Sequence, residues 1–144
     1  MSYNEYYQLL QTGIELNETN VYRFYNHGYN IQEDGLYMTR EYYESHKEQA
    51  MLFAEASRRG WEWAAENPEE TLEIVMKYVQ MNHIATNRIL QQLMLDEVLK
   101  LLVDRENKRR IYTLRPDMVE QASNLMFENG MLSRPITYEE LIAE

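Results

Sequence analysis

From about residue 46 onward, apolar side chains recur every three or four positions, the spacing that gathers them on one face of an α-helix. Met51, Ala54, Trp61, Ala64 and Ala65 set out an amphipathic helix over 47–65, with Gly60 either tolerated inside it or bending it. A second helix is predicted from Pro68 to Val79. Ile84 or Ala85, Ile89, Leu93, Met94, Val98, Leu101 and Leu102 then form the longest apolar stripe, on a helix of about 83–104 that the pattern marks as the core. A further helix starts at Pro116, turns Met118, Ala122, Leu125 and Met126 inward and stops at Gly130.

Before residue 46 the period changes. Residues 4–12 suit a short helix with Tyr6, Leu9 and Leu10 on one side and Gly13 as a left-handed cap. Asn20-Val21-Tyr22-Arg23-Phe24-Tyr25 alternates, is rich in β-formers and runs into the turn-prone Asn26-His27-Gly28, so it reads as a strand. Leu36-Tyr37-Met38-Thr39 reads as a second strand, opened by a Glu33-Asp34-Gly35 turn, after which Thr39 caps a helix beginning at Arg40. Two helix starts carry their own punctuation. Asn67, Pro68 and Glu70 suit an N-cap, a first helical position and a capping box, and Thr137 with Glu140 forms a second such box. The expected fold is therefore mainly α with one or two short β-strands, and the strands need partners that the chain scarcely supplies.

Length and composition narrow the function. At 144 residues the chain suits one domain, 1–144, without internal repeats or linkers. Twenty-four acidic against fourteen basic residues give a net charge of −10, which argues against a general nucleic-acid partner. The one basic knot, Arg105 to Arg110, reads as a solvated loop. With no cysteine there is no thiolate chemistry. His27, His46 and His83 have no metal-ligand spacing, and no serine-nucleophile, zinc-helix or phosphate-loop motif occurs, so neither metal, cofactor nor catalysis is expected. No apolar run is long enough for a membrane span, and the first residues do not read as a signal peptide, so the chain as written is expected in the cytoplasm.

Three segments, in order, carry a family resemblance. They are Tyr3-Asn4-Glu5-Tyr6 with Leu9-Leu10 and Gly13; Gly28-Tyr29-Asn30-Ile31 running into Glu33-Asp34-Gly35-Leu36-Tyr37; and Gly60-Trp61-Glu62-Trp63-Ala64-Ala65-Glu66-Asn67-Pro68-Glu69-Glu70. Together they resemble the solute-binding proteins of ABC importers, in the branch that binds the pyrimidine precursor of thiamine. The resemblance implies the C-terminal part of a two-lobe α/β fold of the periplasmic-binding-protein kind, with 1–40 as second-lobe remnant and crossover and 41–144 as its helical C-terminal part. It also implies a first lobe and export signal before Met1, in which case the protein is periplasmic or on the cell surface, and binding by the present chain is incomplete. The histidine- and cysteine-rich motifs of the family's thiamine-pyrimidine synthases are missing, which speaks against that chemistry.

The implied partners are a small aromatic or pyrimidine-like solute and an importer permease, and the implied ligand-binding residues are Tyr3, Asn4, Glu5, Tyr6 and Asp34. Glu5 would meet a ring amino group through a charge-assisted hydrogen bond while Tyr3 and Tyr6 stack on the ring. Each has a plainer explanation. An acid in a first helical turn is favoured by the helix dipole, an Asp-Gly turn needs no ligand, and Trp61 on an apolar stripe is a core residue, with Trp63 left open. A second functional reading follows from the unpaired strands and apolar faces: a helical domain that self-associates as a homo-oligomer and has no small-molecule site.

Overall fold

A computed structural model of the chain describes residues 3–32, 34–102 and 112–142. Seven α-helices occur among them: α1 (Glu5–Gln11), α2 (Arg40–Ser45), α3 (Lys47–Glu66), α4 (Pro68–Met81), α5 (Arg88–Leu101), α6 (Pro116–Glu128) and α7 (Tyr138–Leu141). A 3-10 helix covers Phe24–His27. The described residues contain no strand and no sheet. The expectation of one or two short strands within a two-lobe α/β fold is therefore corrected: the protein is helical.

Local hydrogen bonding explains why the strand-like sequences do not become strands. Asn20, the expected first strand residue, is consumed by a turn, where its Oδ1 accepts from the Asn17 N–H at 2.9 Å and its Nδ2 donates to the Glu15 carbonyl at 2.8 Å. Phe24–His27 then closes into a 3-10 turn that ends on Gly28 at φ 86°. Tyr22 stacks on the His27 ring at 4.3 Å and meets Phe24 edge-on at 5.4 Å, so its aromatic neighbours lie along the same segment. Around Gln32 the chain is satisfied by a side chain instead of a strand. The Gln32 amide donates to the Thr113 carbonyl at 3.1 Å and accepts from the Arg115 N–H at 2.6 Å. A primary amide presents one donor and one acceptor side by side, as a peptide group does, and so fills one rung of a ladder without a second strand. β-propensity here is overridden by context.

The chain divides into two compact units, Met1–Val21 with Glu55–Tyr112 and Tyr22–Ala54 with Thr113–Glu144, the division falling within α3. In the first unit α4 and α1 each pack on α5, and Ala64, Leu72, Val79 and Leu90 are buried, Leu72 fully. The turn from α4 to α5 explains why α5 begins later than the apolar pattern suggests. His83 adopts φ 53°, the His83 N–H donates to the Gln80 carbonyl at 3.2 Å and the Ile84 N–H to the Val79 carbonyl at 3.0 Å, which is a Schellman closure of α4. Asn87 then caps α5, its Oδ1 accepting from the Leu90 N–H at 2.9 Å. Residues 83–87 are thus cap and loop, and the buried face is set by Leu90 where the apolar stripe had Ile89, which is exposed. The expected end of that helix, at 104, and the Arg105 to Arg110 knot lie outside the described residues.

In the second unit α6 carries buried Val119 and Ser123, and Ala50 of α3 is buried. Met118, Ala122 and Leu125 are half-buried and Met126 is exposed, so the inward face lies one position beyond the expected one. Gly130 ends α6 as expected, at φ 71°, with its N–H on the Phe127 carbonyl and the Met131 N–H on the Met126 carbonyl.

Asn67 departs from its expected part. It occupies the N-cap of α4, but makes no side-chain cap bond there; its Nδ2 donates backward to the Trp63 carbonyl at 3.0 Å, closing the end of α3. Asn82 does the same at the end of α4 and Asn129 at the end of α6, donating to the Tyr78 and Leu125 carbonyls at 2.9 and 2.8 Å. Each satisfies one of the carbonyls that a helix leaves orphaned at its last turn. The capping boxes therefore part company: the one at Asn67 and Glu70 is absent, while the one at Thr137 and Glu140 has both of its bonds.

Candidate functional site

Tyr3, Asn4, Glu5 and Tyr6 open α1 in the first unit, and Asp34 belongs to the second. Tyr3, Asn4 and Tyr6 are half-buried, whereas Glu5 and Asp34 are exposed. Asn4 Oδ1 accepts from Gln8 Nε2 at 2.6 Å, a contact within its own helix. Tyr6 meets Tyr7 edge-on, with ring centroids 5.4 Å apart. Tyr7, which the periodicity passes over, is what anchors the helix: its hydroxyl donates to Glu97 Oε1 of α5 at 2.8 Å. One turn later Gln11 Oε1 accepts from Asn87 Nδ2 at 3.0 Å. The contact face of α1 therefore includes the polar pair Tyr7 and Gln11 at i and i+4, whereas Leu9 and Leu10 of the expected apolar side are exposed. Reading only apolar residues hides such a face.

Asp34 sits at φ 62°, in the left-handed region that aspartate tolerates better than most side chains. The adjacent Gly35 has a different reason to be glycine, because a Cβ there would stand 3.3 Å from Cε2 of the Tyr37 ring. Glu33, the first residue of the expected Glu33-Asp34-Gly35 turn, lies outside the described residues. Trp61, expected in the core, is exposed, as is Trp63. His27 stacks on Tyr22 and His46 on Tyr42, and among the described residues no three histidine, aspartate or glutamate side chains gather as a metal site would require. No described helix is long and apolar enough to cross a membrane.

One concavity among the described residues was announced by no sequence motif. A groove of about 210 Å³ lies wholly within the second unit, between the 31–37 segment, α6 and the chain around α7, and none of its lining residues is charged. Four polar contacts hold its walls. Gln121 Nε2 donates to the Gly28 carbonyl at 2.6 Å, and Gln32 makes the two bonds described above. Ser123, only 6% exposed, accepts the Ile136 N–H at 2.5 Å and so fixes the chain leading to α7.

α7 is fastened by its acids and bases. Glu140 accepts the Thr137 N–H at 3.0 Å and both Arg134 terminal nitrogens, at 2.6 and 2.9 Å. The Arg134 fork, followed by the Thr137 N–H, pulls the Glu140 carboxyl down to about 2. Arg40 also donates to the Glu140 carbonyl at 3.2 Å, which ties α2 to α7, and Leu141, next in the chain, lines the groove. The sequence signal for this arrangement was the Thr137 capping box alone; nothing in periodicity points from it to a groove.

The N-terminal portion of this helical chain is similar to a family of substrate-binding proteins. The family model that matches is the one described as NMT1/THI5 like, over residues 1–71, and the resemblance read from the segments between Tyr3 and Glu70 is borne out over those residues. They run from α1 into the first turn of α4. The family is one of substrate-binding proteins, generally not enzymes, and implies small-solute binding and ABC-transporter partners. No curated protein and no solved structure matches the chain.

Proposed function

We propose that the chain is a solute-binding module that takes a pyrimidine-like or other small aromatic solute and works with an ABC importer permease. The observation that carries this reading is the family match over residues 1–71. Within them Tyr3, Asn4, Glu5, Tyr6 and Asp34 are the residues proposed to meet the solute, Glu5 through a charge-assisted hydrogen bond and the tyrosines through ring contacts. Glu5 and Asp34 face solvent, where a charge pair gains little against water. Affinity is accordingly weak, from high micromolar to millimolar, or about −4 to −6 kcal/mol.

NMR titration of the full chain with an aminopyrimidine tests this. Resonances of Tyr3, Glu5 and Asp34 shift, Glu5→Gln abolishes the effect because a neutral amide cannot make the charge-assisted bond, and Glu128→Gln at the far end of α6 leaves it intact. A titration in which none of those three residues responds, or in which both variants behave alike, leaves the family match as ancestry without binding.

One observation favours a second reading, self-association without a small-molecule ligand. Met51, Leu52 and Phe53 follow one another on α3 and are 58%, 64% and 61% exposed. Three adjacent large apolar side chains in water are a common mark of a protein interface. Sedimentation showing a 17.4 kDa species at every concentration removes this reading, and concentration-dependent dimerisation that Leu52→Lys abolishes supports it.

A further inference from the structure

We infer that the groove of the second unit is a binding site for an uncharged molecule with a single aromatic ring and one hydrogen-bond acceptor. None of the residues proposed above, Tyr3 to Tyr6 and Asp34, lines it. Size sets the first limit. An engineered apolar cavity of about 150 Å³ holds benzene, so a groove of about 210 Å³ has room for one ring with a small substituent.

Charge sets the second limit. The chain carries 38 formally charged side chains, 24 acidic and 14 basic, and none of them lines the groove. A carboxylate or ammonium entering there would lose water and meet no counter-charge, which selects against charged solutes. The walls suit a ring in particular. Met118 and Met126 offer polarizable, adaptable sulfur side chains, and Tyr37 offers an aromatic partner.

The hydroxyl of Ser123 sets the third. A serine oxygen has one proton and two lone pairs, and here one lone pair is taken by the Ile136 N–H. The proton has no acceptor among the described residues. A buried donor on a mostly apolar wall is the kind of group that orients a guest, and it calls for an acceptor such as a carbonyl or a ring nitrogen. Gln32, by contrast, already uses both ends of its amide on the backbone and serves as wall.

Benzamide and benzoate share a ring and a size and differ in charge, which makes them the probes. In a methyl NMR titration of the full chain, benzamide shifts the Met118, Met126 and Ile136 methyls, and benzoate binds at least tenfold more weakly. Ala122→Leu places an isobutyl group in the groove and weakens benzamide at least tenfold; the two wild-type titrations decide the matter by themselves if that variant does not fold. Benzoate binding as tightly as benzamide, benzamide producing no shift up to its solubility, shifts confined to other parts of the chain, or undiminished binding by a folded Ala122→Leu protein each overturn the inference. The two readings are told apart by Tyr3 and Glu5, which do not line the groove and respond only in the first, and by the Met118, Met126 and Ile136 methyls, which line it and respond in the second.

Discussion

Leu90 and Ile89 are neighbours on α5 of nearly equal volume, yet the fold treats them oppositely, and replacing each by alanine measures that difference. Leu90 is 7% exposed and Ile89 67%. Truncating a buried leucine removes its transfer free energy and leaves part of a cavity, about 2–4 kcal/mol in sum. Ile89 has only about a third of its surface covered, so about a third of the 1.5–3 kcal/mol for full burial is at stake. Alanine returns up to about 0.7 kcal/mol of helix propensity, which brings the net change for Ile89→Ala to within about 0.5 kcal/mol of zero. Leu90→Ala should therefore unfold at markedly lower urea concentration and Ile89→Ala close to wild type, read by circular dichroism at 222 nm. Equal losses, or a larger loss at Ile89, would show that α5 presents the face its apolar stripe suggested and would refute a register with Leu90 turned inward.

Gly60 lies inside α3 with nothing within 4 Å of where a Cβ would stand, so Gly60→Ala should raise stability by about 0.5–1 kcal/mol, measured by the same urea unfolding. Ser123→Ala leaves the part-buried Ile136 N–H without its acceptor and should cost about 1–3 kcal/mol, with faster amide exchange at Ile136. The Glu140 carboxyl is held near 2 in the folded chain against an ordinary 4.5, so its contribution is present above pH 4.5 and lost as pH falls through about 2. Carbon NMR should place its titration midpoint there, and Arg134→Ala should move that midpoint upward; an unchanged midpoint would remove Arg134 as the main cause.

Helices proved legible in this chain because their signals are local. Thr39 and Thr137 cap as their sequences suggest, Gly130 stops α6, and Ala64 falls on the buried face. Faces were less legible, because apolar spacing marks a broad side of a helix and not the seam that becomes buried; Ile89 and Met126, expected inward, are exposed, while Leu90 and Val119, each next to an expected position, are buried. Strands were misread for a different reason. Alternation at Val21 to Tyr25 states what a residue tolerates, whereas a strand exists only when another backbone accepts its hydrogen bonds, and here Asn20, Gly28 and Gln32 divert those groups into turns and side chains. The groove was illegible because its walls come from residues 31 and 141 at once, a coincidence that no window of sequence contains.

The three asparagines that close helices also give the molecule a chemical clock. Each works only as an amide, by donating Nδ2 to a carbonyl four residues back. Hydrolysis of that amide, the common ageing reaction of asparagine, would replace the donor by a carboxylate facing a carbonyl oxygen. It would also add a negative charge at the negative pole of a helix, in a chain that already carries −10. Asn129 is the most exposed to this fate, being followed by Gly130, whose lack of a side chain opens the backbone nitrogen to attack. As long as the Gly130 N–H remains bonded to the Phe127 carbonyl at 3.0 Å, the same cap that depends on the amide also shields it. Loosening α6 would therefore hasten its own loss, and the age of a sample would be read first at the end of that helix.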